Sequence, residues 1–154
     1  MSLMIPLGTQ GSGRHIHYDV LAIQLRHMRR KGKAITSVLQ KECDTLLQRI
    51  GKLKMPRSEI SGLPTEVIHH FHPKSVSNAL RYDWDNLIPL TNGEHGRHHQ
   101  ANDPHIHGTV IQKRGQVWHD TLLKRRWQES VKTDKAYYLA IKDRLLQELS
   151  TIDV

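Results

Sequence analysis

Two short apolar runs, EVIHHF at 66–71 and NLIPL at 86–90, read as strands, and a long excursion over residues 72–86 separates them. The rest of the chain reads as helix or loop. Ile16, Val20, Ile23 and His27 have helical spacing, in a segment from His15 to Arg30 that ends in the basic run RRKGK. Residues 34–50 form a clearer amphipathic helix, with Ile35, Val38, Leu39, Leu46, Leu47 and Ile50 on one face and Gly51 as its stop. Asn92-Gly93 marks a turn into a short His-rich helix over roughly residues 94–101. Further on, Trp118, Leu122 and Leu123 belong to one helix. Tyr137, Tyr138, Ile141, Leu145, Leu146 and Leu149 belong to another that begins near Thr133-Asp134. The expected fold class is therefore α+β, with helices at both ends flanking a small strand–strand–helix centre. The expected organisation is a Gly-rich segment and basic helix over 1–33, of which residues 1–14 are loose, and one domain over 34–154. Its motif core lies at about 58–108 and its C-terminal helices at 116–150.

Histidines concentrate in that centre. EVIHHFHPKS places three of the chain's 12 within four positions. Neighbours on a strand point to opposite faces, so His69 and His70 do different jobs unless the strand ends there. In the following helix His95 and His99 stand at i and i+4, stacked on one face, the geometry of two imidazoles sharing one metal. His98, at i+3, is a possible substitute or a helix-face residue. One strand histidine and two helix histidines can converge on a divalent ion and leave coordination positions open, as catalytic rather than structural sites do. The competing reading is coincidence in a histidine-rich chain. His72 is followed by Pro73, which ends the strand, and its role stays open. His105 and His107 read as structural, as do Trp118 and Trp127, while Trp84 packs the excursion down.

The formal charge is +8 from 23 Lys and Arg against 15 Asp and Glu. That points to an anionic partner, most simply nucleic acid held through its phosphates, and on charge alone a merely solvated basic surface fits equally well. Hydrophobic content of 37% with 5% aromatics is lean, so a metal or partner would usefully supplement the core. The single cysteine, Cys43, excludes an internal disulfide and a Cys-rich zinc site within one chain, and its place in a helical apolar pattern points to packing. There is no apolar run of ~18 residues and no leader-like start, so a cytoplasmic setting without membrane contact is expected.

The ordered pattern of HH, then Asn in DNLIPL, then His nine residues later resembles the HNH endonucleases, most closely small phage-type members. The resemblance spans roughly residues 40–120 and implies a ββα-metal core. Carried across, it makes His69 a metal ligand, His70 the general base that takes a proton from water, and Asn86 the residue that holds that base. His95 and His99 become the remaining ligands. Lys74, Arg81 and Arg97 lie in or next to the motif and are candidate phosphate contacts on DNA, most simply double-stranded, with a solvated charge as the competing reading for each. One divalent ion is implied, Mg, Mn, Ni or Zn. Many relatives carry two CxxC pairs that bind a structural zinc. Here the matching positions are Ser58 and Ser61, and Thr91 and Glu94, so no structural zinc is expected, and a homodimer is one way to offset its loss. The alternatives are an inactive DNA-binding protein of the same fold and a metal-binding interaction module.

Overall fold

The computed structural model describes residues 13–101 and 104–152. Its elements run α1 (Gly13–Lys54), β1 (Val67–His70), β2 (Leu87–Leu90), α2 (Asn92–Ala101), α3 (Pro104–Arg114), α4 (Gln116–Gln128) and α5 (Lys135–Ile152). The class is α+β, as expected. Two compact units divide the chain, residues 1–35 and residues 36–154. The first consists, as described, of the helical turns of α1 up to Ile35. Of the stretch expected to be loose, residues 1–12 lie outside the described residues and Gly13 already opens the helix.

The two helices expected over His15–Arg30 and 34–50 are one, which is a correction. No proline interrupts the sequence, and a glycine inside a helix costs only about 0.5–1 kcal/mol relative to alanine, so α1 runs through both Gly32 and Gly51. Gly51 is not a stop. A Cβ there would stand 2.5 Å from Ile68 Cγ1, so the glycine lets α1 press directly against β1.

The second unit is built around a two-stranded antiparallel sheet, with Ile68 opposite Pro89, His69 opposite Ile88 and His70 opposite Leu87. Pro89 has no N–H to offer, and the free edge of β1 at Ile68 is covered by a side chain. Gln48 on α1 accepts from the Ile68 N–H at 2.9 Å and donates to its carbonyl at 2.6 Å, as a third strand would. Directly opposed residues share a face, so the sheet separates two apolar clusters. On one face Ile68 and Leu87 pack with Cys43, Leu47 and Ile50 of α1, Tyr82 of the excursion, and Tyr138, Leu145 and Leu149 of α5. On the other, Ile88 and Leu90 pack with Phe71, Leu80, Ile106 and Val110 of α3 and Leu122 of α4. Cys43 is fully buried, in keeping with a packing role. Ile35 and Val38, expected on the buried face, are exposed, because the contacts of α1 with β1 and α5 begin further along.

Arg114 ties the end of α3 to this centre, with a bidentate pair to Glu59 and donations to the Asp85 and Leu87 carbonyls. Asp134 caps α5 by accepting from the Tyr137 N–H at 3.0 Å. Trp84 does pack the excursion down, donating to Glu148 at 2.9 Å beneath the Lys54 ammonium. Trp127 differs from expectation. It sits in the last turn of α4, beyond the Leu122 contact, and is 73% exposed. No helix among the described residues is long and apolar enough to cross a membrane.

Candidate metal centre and active site

Strand parity decides what His69 meets. It shares a sheet face with Ile88, toward α2 and α3, and its ring lies 5.1, 4.9 and 5.2 Å from those of His95, His98 and His99. The donor nitrogens of His69, His95 and His99 lie within 4.8 Å of one another. The Nε2 atoms of His95 and His99 are 3.0 Å apart. A hydrogen bond between one protonated and one bare nitrogen has that length. Two nitrogens each ~2.0–2.1 Å from a shared ion also stand roughly 3 Å apart. His69 is buried and His99 exposed, so the trio runs from the interior to the rim of a cleft of about 820 Å³. Burial, then the neighbouring His98, His95, His99 and His70, pushes the His69 imidazole down to about 3. Burial and then His99 and His98 also lower His95. Neutral imidazoles are what a metal requires, so the residues fit an ion. A donor set of nitrogen alone suits a borderline transition metal better than magnesium.

His70 points the other way, sharing its face with Leu87, yet it lines the same cleft because β1 ends there. Its Nε2 lies 2.7 Å from the Arg81 carbonyl oxygen. A carbonyl only accepts, so Nε2 carries the proton and the Nδ1 lone pair has no hydrogen-bond partner among the described residues. Burial is the main reason the ring is pushed down to about 4, opposed by the Arg81 carbonyl and assisted by Lys74. The neutral form therefore extends below the ordinary imidazole range near 6.5.

Arg81 sits in the cleft wall, but its guanidinium is taken. Nε and Nη2 form a bidentate pair with Asp44 of α1 at 3.1 and 2.6 Å. Tyr82 donates its hydroxyl to the same carboxylate at 3.0 Å. Arg81, read from sequence as a phosphate contact, thus serves the fold through its side chain and His70 through its carbonyl. Lys74 lines the cleft, half-exposed, 3.7 Å from Asp44. Arg97 is exposed on α2 and does not line it.

Asn86 is fully buried and spends both its donors and its oxygen on the excursion. Nδ2 donates to the His72 and Leu80 carbonyls at 3.1 and 3.0 Å, and Oδ1 accepts from the His72 N–H at 2.8 Å. It hydrogen-bonds to no imidazole among the described residues. By fixing Leu80 it fixes the adjacent Arg81 carbonyl that holds His70, so it is a positioning residue.

Ser58, Ser61, Thr91 and Glu94 come together as a hydrogen-bonded knot. Thr91 and Glu94 form a capping box at the start of α2, the Glu94 N–H donating to Thr91 Oγ1 at 3.2 Å and the Thr91 N–H to Glu94 Oε2 at 2.7 Å. Ser58 Oγ also donates to Glu94 Oε2, at 2.7 Å, and accepts from the N–H groups of Ile60 and Ser61. Burial would raise the Glu94 carboxyl, but hydrogen bonds from Ser61, Ser58 and Thr91 outweigh it and hold it low.

Two further histidines stand near the site: His98, read from sequence as a possible substitute ligand or a helix-face residue, and His107, read as structural. His98 and His107 form a second trio with His69, their donor nitrogens also within 4.8 Å. The i+3 spacing of His95 and His98 was the signal for His98. For His107 there was none, because its approach depends on how α3 leaves α2. His72 is buried on the side of Phe71, Arg126, His119 and His107 and does not line the cleft. Comparison with protein-family models, curated proteins and solved structures finds no match.

Proposed function

We propose that this chain is a metal-dependent DNA endonuclease or nickase of the HNH class, with β1, β2 and α2 as a ββα-metal core. The observation that carries the reading is the convergence of His69, His95 and His99 within 4.8 Å in the cleft lined by His70, whose Nε2 is occupied and whose Nδ1 has no hydrogen-bond partner among the described residues. Phosphodiester hydrolysis needs an aligned water, a base for its proton, and positive charge at the phosphate and leaving oxygen. His70 Nδ1 takes the proton as the water oxygen bonds to phosphorus and the bond to the leaving oxygen breaks. Lys74 draws the phosphate to the cleft, and Asn86 with the Asp44–Arg81 pair keeps the base aimed. A divalent ion held by His69, His95 and His99 supplies positive charge where the phosphoryl and leaving oxygens gain negative charge. The net charge of +8 supplies sequence-independent attraction to double-stranded DNA.

Plasmid nicking with and without EDTA, comparing wild type with His70→Ala, tests the reading. Nicking that EDTA abolishes, and that His70→Ala lowers at least ~100-fold as loss of a general base does while still binding metal, supports it. Plasmid binding without cleavage across Mg, Mn, Ni, Co and Zn leaves an inactive DNA-binding protein. No DNA binding at low salt leaves a metal-binding interaction module.

A further inference from the structure

We propose that His69, His98 and His107 form a second cation position, for a borderline divalent transition metal of the Zn(II) or Co(II) type, used in alternation with the His69–His95–His99 position. His98 follows His95 by three positions on α2, so it stands beside the first trio rather than within it. Its ring is 4.9 Å from that of His69 and 4.8 Å from that of His107 on α3. Donor nitrogens from the three rings lie within 4.8 Å of one another. His98 Nδ1 and His107 Nε2 are buried and have no hydrogen-bond partner among the described residues. A buried unpaired nitrogen costs free energy, and here two of them belong to the two rings that join His69 to make this trio. Burial, then the neighbouring His98 and His119, pushes the His107 imidazole below its ordinary range.

The two positions share His69, and neither includes a carboxylate. Two dications joined through one neutral imidazole, with no anionic ligand between them, repel by much more than thermal energy. One ion per chain follows, placed either at the rim, where His99 is exposed, or inward against the half-buried His107. An inward ion takes His69 from the rim position, so a metal that prefers the inner trio competes with the metal at the outer one. Both are metal positions whether or not phosphodiester hydrolysis is the activity.

The test is Co(II) titration followed by calorimetry and by visible absorption, on the full chain. The variants are His95→Ala/His99→Ala, His98→Ala/His107→Ala and the combination of all four, each checked by far-UV circular dichroism. Asparagine replaces alanine in any pair that fails to fold. Wild type and both double variants each bind one Co(II), the two doubles with different absorption spectra, and the fourfold variant binds at least 100-fold more weakly. The proposal is overturned if His95→Ala/His99→Ala binds Co(II) no better than the fourfold variant, or if wild type binds two.

Discussion

Gly51→Ala is a substitution for which two physical effects of opposite sign can be weighed. Alanine inside a helix is favoured over glycine by about 0.5–1 kcal/mol. At Gly51 the new methyl meets Ile68 Cγ1 at 2.5 Å, Cδ1 at 2.9 Å and Cβ at 3.4 Å. Ile68 is 2% exposed and sits among Leu47, Ile50 and Leu87, so it has little room to yield. Overpacking of this kind costs roughly 1–3 kcal/mol, and the net effect is a loss of about 1–2 kcal/mol. At ~2–4 °C per kcal/mol for a chain of this size, the melting temperature falls by about 2–8 °C. Gly108, within α3 and with nothing within 4 Å of a built Cβ, is the control. Gly108→Ala gains the helix preference alone and melts about 1–4 °C higher. Ile68→Ala alone costs about 2–5 kcal/mol, but the double variant Gly51→Ala/Ile68→Ala recovers at least ~1 kcal/mol relative to the sum, because each substitution relieves the other. Scanning calorimetry and urea unfolding read wild type and all four variants. If Gly51→Ala melts higher than wild type, or if the pair is additive within ~0.5 kcal/mol, α1 is not pressed against β1 at that point.

Three further outcomes are expected. Burial raises the Asp44 carboxyl, but Arg81, Lys74 and Tyr82 together hold it below its ordinary value. Ionised Asp44 therefore stabilises the fold at any pH above the ordinary carboxyl range near 3.9, and this is lost as pH falls through the lower folded value. The melting-temperature gap between wild type and Asp44→Asn should be full at pH 6 and close below pH ~4; a gap independent of pH refutes it. If the knot at the start of α2 occupies the place of a zinc knuckle, the fourfold variant Ser58→Cys/Ser61→Cys/Thr91→Cys/Glu94→Cys gains a Co(II) thiolate charge-transfer band that wild type lacks, and absence of that band rejects the correspondence. Asn86→Ala strips partners from the His72 N–H and the Leu80 and His72 carbonyls, so urea unfolding should register a loss of about 2–4 kcal/mol; a loss under ~1 kcal/mol means the excursion is held by other contacts.

The parts of the site that were legible in sequence are those set by local periodicity. Strand parity separates His69 from His70, and the i, i+4 spacing brings His95 over His99, whereas the choice of His69 over His70 as their partner came from the family resemblance. The contacts that escaped are long-range. Asp44 meets Arg81 across 37 positions, and the path from α2 into α3 decides that His107 reaches His98. Gly51 looked like a helix stop because its neighbour on β1, Ile68, is 17 residues away. Thr91 and Glu94 carried a legible capping-box spacing that was read only as the trace of lost cysteines.

The same parity has a functional consequence. His69 is held from the α2 and α3 side, whereas His70 is held from α1 through Asp44, Arg81 and the Arg81 carbonyl. The metal ligands and the base thus rest on largely different supports, with Leu80 the link between the α3 side and the Arg81 carbonyl. Asp44→Asn frees the Arg81 side chain and loosens its carbonyl without touching His69, His95 or His99. It should therefore lower nicking about 10-fold, the loss from a misaimed base within the ~100–10,000-fold a general base contributes, while leaving Co(II) affinity and spectrum unchanged. A parallel fall in both would mean that base and metal ligands share one support, and that the two faces of β1 are not independent.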